Sequence, residues 1–289
     1  MRVVRLLGPE QLAVEEAERP QPGPEEALVR VHAAAITRGE LEWPVDRLPA
    51  IPSYELSGVV EATGAGVADV EAGDEVFALT PFDRDGVAAE YTVLPARLLV
   101  FRPRTVGHAT SAAIPLPALT AWQGLFDHGR LCANQRVLIN GGAGGVGRFA
   151  VQLARRRGAQ VIATASAADI AAVRALGAHE AIDATTAFES TIDPVNLVFD
   201  TAGDDLLRRS VDLVRADGRL VSVAEEPPAG GEYFVVEPNR DQLLAIARLV
   251  DAGELRTPFV ETFTLARARD AFARSLERGR GGKVVLAVA

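Results

Sequence analysis

The feature that most constrains the fold is the segment 140–147, N-G-G-A-G-G-V-G, in which five of the eight residues are glycine. Glycine loses more backbone freedom on folding than any other residue, so this density requires a structural reason. A short apolar run, 137–139, precedes the segment, and a run with helical spacing, 148–154, follows it. The segment is therefore predicted to be a tight turn between a strand and a helix.

Three of these glycines, Gly142, Gly144 and Gly147, have the G-x-G-x-x-G spacing of dinucleotide-binding turns. Glycine there permits the turn, lets the backbone approach a pyrophosphate, and lets the helix pack close to the strand. The free N–H groups and the dipole at the start of the helix then attract phosphate. Because the motif opens a series of strand and helix pairs, we interpret it as a dinucleotide site. The alternative is a plain glycine turn in an α/β sheet.

The chain shows two patterns on either side of about residue 112. Residues 1–100 contain short alternating runs punctuated by Pro and Gly, which predicts a partly open antiparallel barrel. Beyond that point short apolar strands alternate with helices, which predicts right-handed βαβ units around a parallel sheet. We expect the second pattern to begin with a helix at 118–125 and to end with a strand at 233–236.

The C-terminal segment does not continue the alternation of short strands and helices. It contains an amphipathic helix at 241–252, ended by Gly253, a helix at 265–276 and a final strand at 283–288. We expect this segment to return to the first domain. The predicted fold class is α/β, with a doubly wound Rossmann sheet and a β-barrel domain. The domains are predicted at 1–112 with 239–289, and at 113–238.

Composition limits the classes of protein. The net charge of -9 argues against a nucleic-acid partner, which normally requires a basic patch. Cys132 is the single cysteine, so a disulfide framework is excluded and a reducing compartment fits. No run approaches the ~18 apolar residues of a membrane span, and the N-terminus lacks a signal-peptide pattern. We expect a soluble, cytoplasmic protein without membrane or nucleic-acid partners.

The strand after the glycine motif indicates which dinucleotide binds. NAD sites usually end this strand with an acidic residue that binds the ribose 2′-hydroxyl, whereas here it ends in Ala165 and Ser166. The small neutral end leaves room for a 2′-phosphate near Ser166, so NADPH is predicted. No basic residue follows closely, and Asp169 would repel a phosphate if it pointed there. We prefer the alternative that Asp169 caps the helix beginning near Ile170.

Several further motifs match a known family in order and over nearly the whole chain. With the glycine segment they resemble the medium-chain dehydrogenase/reductase superfamily, specifically its zinc-free quinone oxidoreductase (zeta-crystallin-like) branch. The motifs are V-H-A-A-A-I-T (31–37), S-G-V-V-E-A-T-G (57–64), A-G-D-E-V (72–76), A-E-Y (89–91), P-L-P-A-L-T-A-W (115–122), F-D-T-A-G (199–203), G-R-L-V-S-V (218–223) and G-K-V-V (282–285).

The resemblance implies a GroES-like first domain, which would bind substrate, and a Rossmann domain, with the active site in the cleft between them. It places the nicotinamide near Thr37, Trp43, Thr120 and the Val235 backbone. It also implies an antiparallel homodimer through the strand at 233–236. The remaining residues that we expect to contact the cofactor are Gly142, Gly144, Gly145, Val146, Gly147, Ser166, Thr201, Ala202, Gly203, Val223, Ala224, Phe234 and Lys283. For Lys283 the alternative is a solvated residue at the start of a strand.

Zinc-using relatives carry a cysteine near Thr37 and a histidine at the position of Tyr54. Neither of the residues found here binds zinc readily, so no metal is predicted. The four histidines are far apart in the sequence, and we interpret each as a strand, loop or helix-end residue: His32, His108, His128 and His179.

Without a metal, hydride transfer needs placement of the acceptor and stabilisation of the charge that develops on its oxygen. Tyr54 is the first candidate donor to that oxygen, and the alternative is that it packs under the cofactor. Thr37 is the second candidate, unless its hydroxyl is satisfied by backbone. Glu40 and Glu55 are candidate acid/base groups, but Glu55 more plausibly pairs with an arginine. Trp43 and Glu40 are expected to line the substrate pocket.

We therefore predict a zinc-independent NADPH-dependent oxidoreductase that reduces a small molecule, either a quinone or an α,β-unsaturated carbonyl. One alternative is a divergent biosynthetic relative with weak cofactor binding and a non-redox reaction in the same cleft. Another is a binding or structural protein without catalysis, which would bind NADPH without turnover.

Overall fold

The computed structural model describes residues 1–8, 11–43, 48–228, 230–277 and 282–289. The chain divides into two units, Met1–Leu116 with Pro238–Ala289, and Pro117–Glu237. The strands are β1 (Arg2–Gly8), β2 (Gln11–Glu16), β3 (Glu26–Ile36), β4 (Glu55–Thr63), β5 (Glu75–Leu79), β6 (Tyr91–Pro95), β7 (Val100–Phe101), β8 (Arg136–Asn140), β9 (Gln160–Ala165), β10 (Glu180–Asp183), β11 (Val195–Asp200), β12 (Val214–Ser222), β13 (Glu232–Tyr233), β14 (Val260–Thr264) and β15 (Lys283–Ala287). The α-helices are α1 (His108–Ala112), α2 (Pro115–Trp122), α3 (Gly145–Arg156), α4 (Ile170–Ala175), α5 (Asp204–Ser210), α6 (Arg240–Asp251) and α7 (Ala268–Leu276).

The first unit is a GroES-like barrel built around β3. One edge of β3 pairs with β4, while the other edge pairs with β6 along its first half and with β15 along its second half. The pairing with β4 shifts register between Leu28 and Val29 and again between Val31 and Ala33. Such irregularities bend a strand and increase its twist, which lets one sheet curve around the apolar core. The C-terminal strands β14 and β15 complete the same sheet, in parallel with each other.

The second unit is a Rossmann domain. Its six parallel strands lie in the order β10-β9-β8-β11-β12-β13, so the chain starts in the middle of the sheet, builds one half and then crosses to the other. The crossing point lies between β8 and β11, which pair from Leu197 with Val137 to Asp200 with Asn140. Ligands of open α/β sheets bind outside the carboxyl ends of the strands at such a point. The glycine segment follows β8 directly.

Two predicted elements differ from the observed ones. The last strand of the parallel sheet was expected at 233–236 but comprises only Glu232–Tyr233, and Val235 beyond it is 58% exposed. The helix expected at 118–125 is α2, which begins at Pro115, and a π-helical turn, Gln123–His128, continues it. Proline fits the first turn of a helix, where its missing N–H is not needed. Within the described residues no helix is long and apolar enough to cross a membrane.

Candidate functional site

Three glycines of the 140–147 segment are required by the packing of the chain itself. Gly141 has φ +77°, a conformation that residues with a side chain rarely adopt. A Cβ atom on Gly147 would lie 2.1 Å from the carbonyl oxygen of Gly141, so helix α3 approaches the end of β8 only because this residue is glycine. A Cβ on Gly142 would lie 2.9 Å from the Cβ of Ala163 in β9. These residues are fixed by the turn.

Gly144 and Gly145 are different, because little of the chain lies where their side chains would be. The nearest atoms to a Cβ are the Gly141 carbonyl oxygen at 3.2 Å for Gly144 and the Pro117 Cβ at 3.9 Å for Gly145. Gly144 is exposed, and Gly145 and Val146 are half-buried at the start of α3, whose first turn has no side-chain cap. The backbone here is open to a ligand that bears negative charge.

A buried group that we call the asparagine cluster lies at the switch point: Asn140, Thr164, Asp200, Ser210 and Ser222. The Asn140 amide nitrogen donates to Ser210 Oγ at 2.9 Å and to Asp200 Oδ1 at 3.2 Å. Thr164 Oγ1 donates to the Asn140 amide oxygen at 3.3 Å, and Ser222 Oγ donates to Asp200 Oδ2 at 2.9 Å. Burial raises the pKa of Asp200, and its hydrogen bonds to Ser222 and Asn140 oppose that shift. The cluster thus connects the ends of β8, β9, β11 and β12.

The asparagine cluster holds the loops on which several predicted cofactor contacts lie. Thr201 Oγ1 donates to the Asn140 carbonyl oxygen at 2.7 Å, and the Gly203 N–H donates to Asp200 Oδ2 at 3.0 Å. The loop after β12 is held in the same way, because the Val223 N–H donates to the Asp200 carbonyl oxygen at 3.1 Å. The structure therefore brings the following predicted residues to one edge of the sheet with the glycine segment: Thr201, Ala202, Gly203, Val223 and Ala224.

Thr120 and Phe234 are two further predicted residues of this unit. Thr120 is buried on α2. Phe234 follows β13, where its N–H donates to the Ser222 carbonyl oxygen at 3.3 Å and its ring stacks on His128 with centroids 4.1 Å apart. The Phe234 ring is thus occupied by protein, whereas the neighbouring Val235 is exposed.

Asp169 occupies the N-cap position of α4, which begins at Ile170 as expected, but its side chain makes no capping hydrogen bond. Instead the Ser166 hydroxyl donates to Asp169 Oδ2 at 2.6 Å. Ser166 is exposed directly after β9 and Asp169 is half-buried. A carboxylate therefore lies beside the hydroxyl that was predicted to face a 2′-phosphate.

The first unit has its own buried polar group, which we call the lysine cluster: Thr37, Glu40, Ser53, Glu55 and Lys283. The Lys283 ammonium donates to Glu55 Oε1 and, at 3.1 Å, to Thr37 Oγ1. Thr37 Oγ1 in turn donates to Glu55 Oε1 at 3.2 Å, and the Leu116 N–H donates to Glu55 Oε2 at 2.9 Å. Glu55 is fully buried and Lys283 is 6% exposed, so the ion pair is shielded from water. Burial raises the pKa of Glu55, and Lys283 opposes the shift.

These contacts change three expectations. Glu55 pairs with Lys283, the only lysine of the chain, and not with an arginine. The Thr37 hydroxyl is satisfied by these two side chains and not by backbone. Lys283 was expected to bind the cofactor or to be solvated, but its ammonium is buried against Glu55. A buried and neutralised ammonium offers no free charge to a phosphate.

Glu40, expected to line the substrate pocket, uses both carboxylate oxygens within the protein. Oε2 accepts the Thr37 N–H at 2.8 Å, and Oε1 accepts the Ser53 N–H at 3.0 Å and the Ser53 hydroxyl at 3.3 Å. Burial raises the pKa of Glu40 to about 7. Thr37 and Glu40 also line a cavity of 270 Å³ with apolar side chains that include Leu12, Leu41, Phe272 and Leu276.

Tyr54 belongs to a cluster of aromatic rings. Its ring centroid lies 6.0 Å from that of Trp43 and 5.0 Å from that of Phe82, which meets it edge to face. Tyr54 is 7% exposed, so most of its ring is packed against protein. Donation by its hydroxyl to a substrate oxygen stays a prediction.

Two of the four histidines, His32 and His108, are closer in space than their sequence positions indicate. The rings of His32 and His108 stack with centroids 4.3 Å apart, and Ser57 Oγ lies 2.8 Å from His108 Nδ1. Burial and the neighbouring His32 lower the pKa of His108 to about 4. Across the ranges 1–8, 11–43, 48–228, 230–277 and 282–289, no three His, Cys, Asp or Glu residues are grouped so as to hold a metal ion.

The glycine motif predicted only part of the polar site at the edge of the Rossmann sheet. The spacing of the glycines says nothing about Asn140, Asp200 or Ser222, although each ends a strand that was predicted correctly. A usable signal was therefore available, because the carboxyl ends of neighbouring parallel strands meet at one edge. Ser53 lies in a loop and Leu116 in the first turn of α2, and neither position carries such a signal.

A chain that combines a barrel of this topology with a Rossmann domain and an open glycine turn has the make-up of a two-domain dehydrogenase or reductase. The family model described as alcohol dehydrogenase GroES-like domain matches residues 23–104, and the one described as zinc-binding dehydrogenase matches residues 176–286. The solved quinone oxidoreductase from Coxiella burnetii has a TM-score of 0.90 and 28% identity, over 100% of this chain and 99% of that one.

Two named relatives cover most of both chains. The NADPH-dependent alkenal/one oxidoreductase of Arabidopsis thaliana chloroplasts is 32% identical over 281 residues, which are 91% of this chain and 72% of the relative. The 2-methylene-furan-3-one reductase of Solanum lycopersicum is 32% identical over 282 residues, 91% and 71% of the two chains. The chain belongs to the medium-chain dehydrogenase/reductase superfamily, in its zinc-free quinone oxidoreductase branch. It is an oxidoreductase of a family that works with nicotinamide cofactors.

Proposed function

We propose that the protein is a zinc-independent reductase that uses NADPH to reduce an α,β-unsaturated carbonyl compound or a quinone. The observation that carries the proposal is the open backbone of Gly144 and Gly145 at the uncapped start of α3. Relatives named for NADPH, for alkenals and for quinones support the choice of reductant and acceptor.

The second unit fits a nicotinamide dinucleotide. Gly144, Gly145, Val146 and Gly147 would receive the pyrophosphate, because their N–H groups lie at the positive end of the α3 dipole. The loops at 201–203 and 223–224 would flank the ribose and the ring, since the asparagine cluster holds them beside the glycine segment. When bound, the cofactor supplies a hydride.

The donor set of the first unit does not fit zinc. Thr37 stands where a zinc-binding cysteine would be needed, and the Lys283 ammonium lies 3.1 Å from its hydroxyl. A buried positive charge at that distance opposes a divalent cation, and the Glu55 carboxylate is already neutralised by the same lysine. No step of the proposed reaction passes through a metal.

The residues of the first unit would then orient the acceptor and stabilise its oxygen. Hydride addition to the β-carbon of an enone moves negative charge to the carbonyl oxygen, where a hydroxyl donor lowers the barrier. Tyr54 is the proposed donor and Thr37 the second candidate. Trp43 would line the acceptor pocket, and Glu40 forms the wall beside Thr37. In this proposal residues 1–112 and 239–289 form the substrate domain, and 113–238 the cofactor domain.

We also propose a homodimer that pairs through the edge of the Rossmann sheet. Strand β13 is the outermost strand of that sheet, and the exposed side chains of Tyr233 and Val235 lie at that edge. Edge strands present unpaired N–H and C=O groups to a second sheet.

The experiment that tests the proposal is a titration of the purified protein with NADPH and NADH, followed by nucleotide fluorescence, and then a panel of enones and quinones. The expected result is saturable NADPH binding and oxidation of NADPH by at least one acceptor. Binding without any turnover would favour a protein that retains the fold for binding alone. If neither nucleotide binds, the proposal is wrong and a non-redox reaction takes its place.

A further inference from the structure

Glu40 connects two loops that are distant in the sequence. It begins the single-turn helix Glu40–Glu42 shortly after β3 and is 5% exposed. One carboxylate oxygen accepts the backbone N–H of Thr37, and the other accepts the N–H and the hydroxyl of Ser53. Its neighbour Glu42, in the same turn, is exposed.

Each loop carries a residue that we propose to act on the substrate. Thr37 is held directly, and Ser53 immediately precedes Tyr54 in the chain. Ser53 has φ +66°, in the left-handed region that non-glycine residues rarely occupy. Such a conformation persists only where surrounding contacts impose it, and here the contact at the Ser53 N–H is the Glu40 carboxylate.

We infer that Glu40 is a positioning residue whose ionised carboxylate holds the backbone of Thr37 and of Ser53, and through them the hydroxyls of Thr37 and Tyr54, in one arrangement. This role rests on the proposed function and replaces the expectation that Glu40 binds substrate. Only a carboxylate presents an acceptor oxygen to both loops without also presenting a donor.

The burial of Glu40 makes this arrangement sensitive to pH. Burial raises the pKa of Glu40 to about 7; the hydrogen bond from the Thr37 N–H and Lys283 on β15 oppose the shift, and Glu55 on β4 adds to it. Glu42 of the same turn and Arg269 of α7 line the adjoining cavity. Protonation converts one carboxylate oxygen into a neutral O–H donor, which is a much weaker acceptor for the N–H of the facing loop.

A rise in pH has opposite effects on the stability that Glu40 contributes and on its ability to hold the two loops. The pKa of Glu40 is raised in the folded protein from an ordinary value of 4.5, so the folded state binds more protons between pH 4.5 and about 7. Stability contributed by this residue therefore falls as the pH rises through that interval. The carboxylate is thus least favourable to the fold at the pH where it holds both loops.

The first test compares Glu40→Gln with the matched control Glu42→Gln. We expect Glu40→Gln to lower kcat/KM for enone reduction by about 10- to 100-fold, because it removes a hydrogen bond to a charged acceptor and adds a donor. The nucleotide KM should not change. Wild type and Glu42→Gln should lose activity as the pH falls through about 7, whereas Glu40→Gln should show no such ionisation.

The second test does not require activity. The protein has two tryptophans, so Trp122→Phe leaves Trp43, whose ring stacks on Tyr54. The fluorescence emission of Trp43 should change with pH, with a midpoint near pH 7. The same change is expected in Trp122→Phe/Glu42→Gln. It should be absent from Trp122→Phe/Glu40→Gln. If that last variant does not fold, a flat titration of the Trp122→Phe protein still overturns the inference, because that protein retains Glu40.

A flat fluorescence titration of the Trp122→Phe protein, or the same transition with and without Glu40, would overturn the inference. Equal activity and equal pH profiles of Glu40→Gln and Glu42→Gln would also overturn it. If wild type reduces no enone or quinone, the proposed function fails instead, and the fluorescence titration still decides the role of Glu40.

Discussion

The lysine cluster and the asparagine cluster are both buried, but they are assembled in different ways. Asn140, Asp200 and Ser222 of the asparagine cluster end neighbouring parallel strands, so sheet topology brings them together, and Ser210 joins them from α5. The lysine cluster joins two loops to the first residues of two strands, Glu55 of β4 and Lys283 of β15. It also contains an ion pair and a second carboxylate, whereas Asp200 is the single charged member of the asparagine cluster. Charge should therefore make the lysine cluster the more costly one to disturb.

The largest expected effect is on the buried ion pair. Lys283→Met leaves Glu55 buried without its partner and should lower the free energy of unfolding by about 3–5 kcal/mol. Glu55→Gln should also destabilise, and the double variant should lose less than the sum of the two. Denaturant unfolding measures this, with Asp270→Asn at the exposed Arg267 pair as the control, for which about 0–1 kcal/mol is expected. Equal losses at the two pairs would contradict the comparison.

The next largest effect should distinguish the glycines that the packing of the turn requires from those that leave its backbone open to the cofactor. Gly147→Ala places a Cβ against the Gly141 carbonyl and should cost about 1–3 kcal/mol of unfolding free energy. Gly145→Ala meets only Pro117 and should leave stability unchanged or slightly higher, as alanine favours the helix. Its NADPH dissociation constant should nevertheless rise about tenfold or more, by loss of close backbone approach. Unchanged NADPH binding by Gly145→Ala would remove the main support for the turn as the pyrophosphate site.

Disturbing the asparagine cluster should cost less than disturbing the lysine cluster. Asp200→Asn keeps one acceptor for the Gly203 and Ser222 donors and should lower the free energy of unfolding by about 1–2 kcal/mol. Because burial raises the pKa of Asp200, wild-type stability relative to the variant should decrease as the pH rises above 3.8. The exposed Asp217→Asn is the control and should change little. A loss as large as that of Lys283→Met would make the two clusters equivalent.

The smallest effect concerns the choice of dinucleotide. Asp169 beside Ser166 should repel a 2′-phosphate, so Asp169→Asn is expected to raise the ratio of NADPH to NADH affinity about tenfold. Calorimetry with 2′,5′-ADP and 5′-ADP measures the same ratio without turnover. Asp193→Asn, on the same unit but paired with Arg136, is the control. An unchanged ratio would mean that Asp169 does not reach the ribose.

The sequence predicted the fold class because its signals are local and repeated. Alternating runs, glycine turns and the G-x-G-x-x-G spacing each reflect a few adjacent residues, and the family motifs ordered them along the chain. It did not predict that the Lys283 ammonium is buried, that Asp169 accepts from Ser166, or that His32 and His108 stack. Those contacts depend on which residues tertiary packing brings together, and no pattern within one segment contains that information.

The central claim is tested most directly by following the transferred hydride. The protein would be incubated with an α,β-unsaturated ketone and NADPH deuterated at C4 of the nicotinamide, and the product examined by NMR. We predict one deuterium on the former β-carbon, in amounts equal to the NADPH oxidised, and the same result after treatment with a zinc chelator. A product without deuterium at that carbon, or activity that the chelator abolishes and zinc restores, would contradict a zinc-independent reductase.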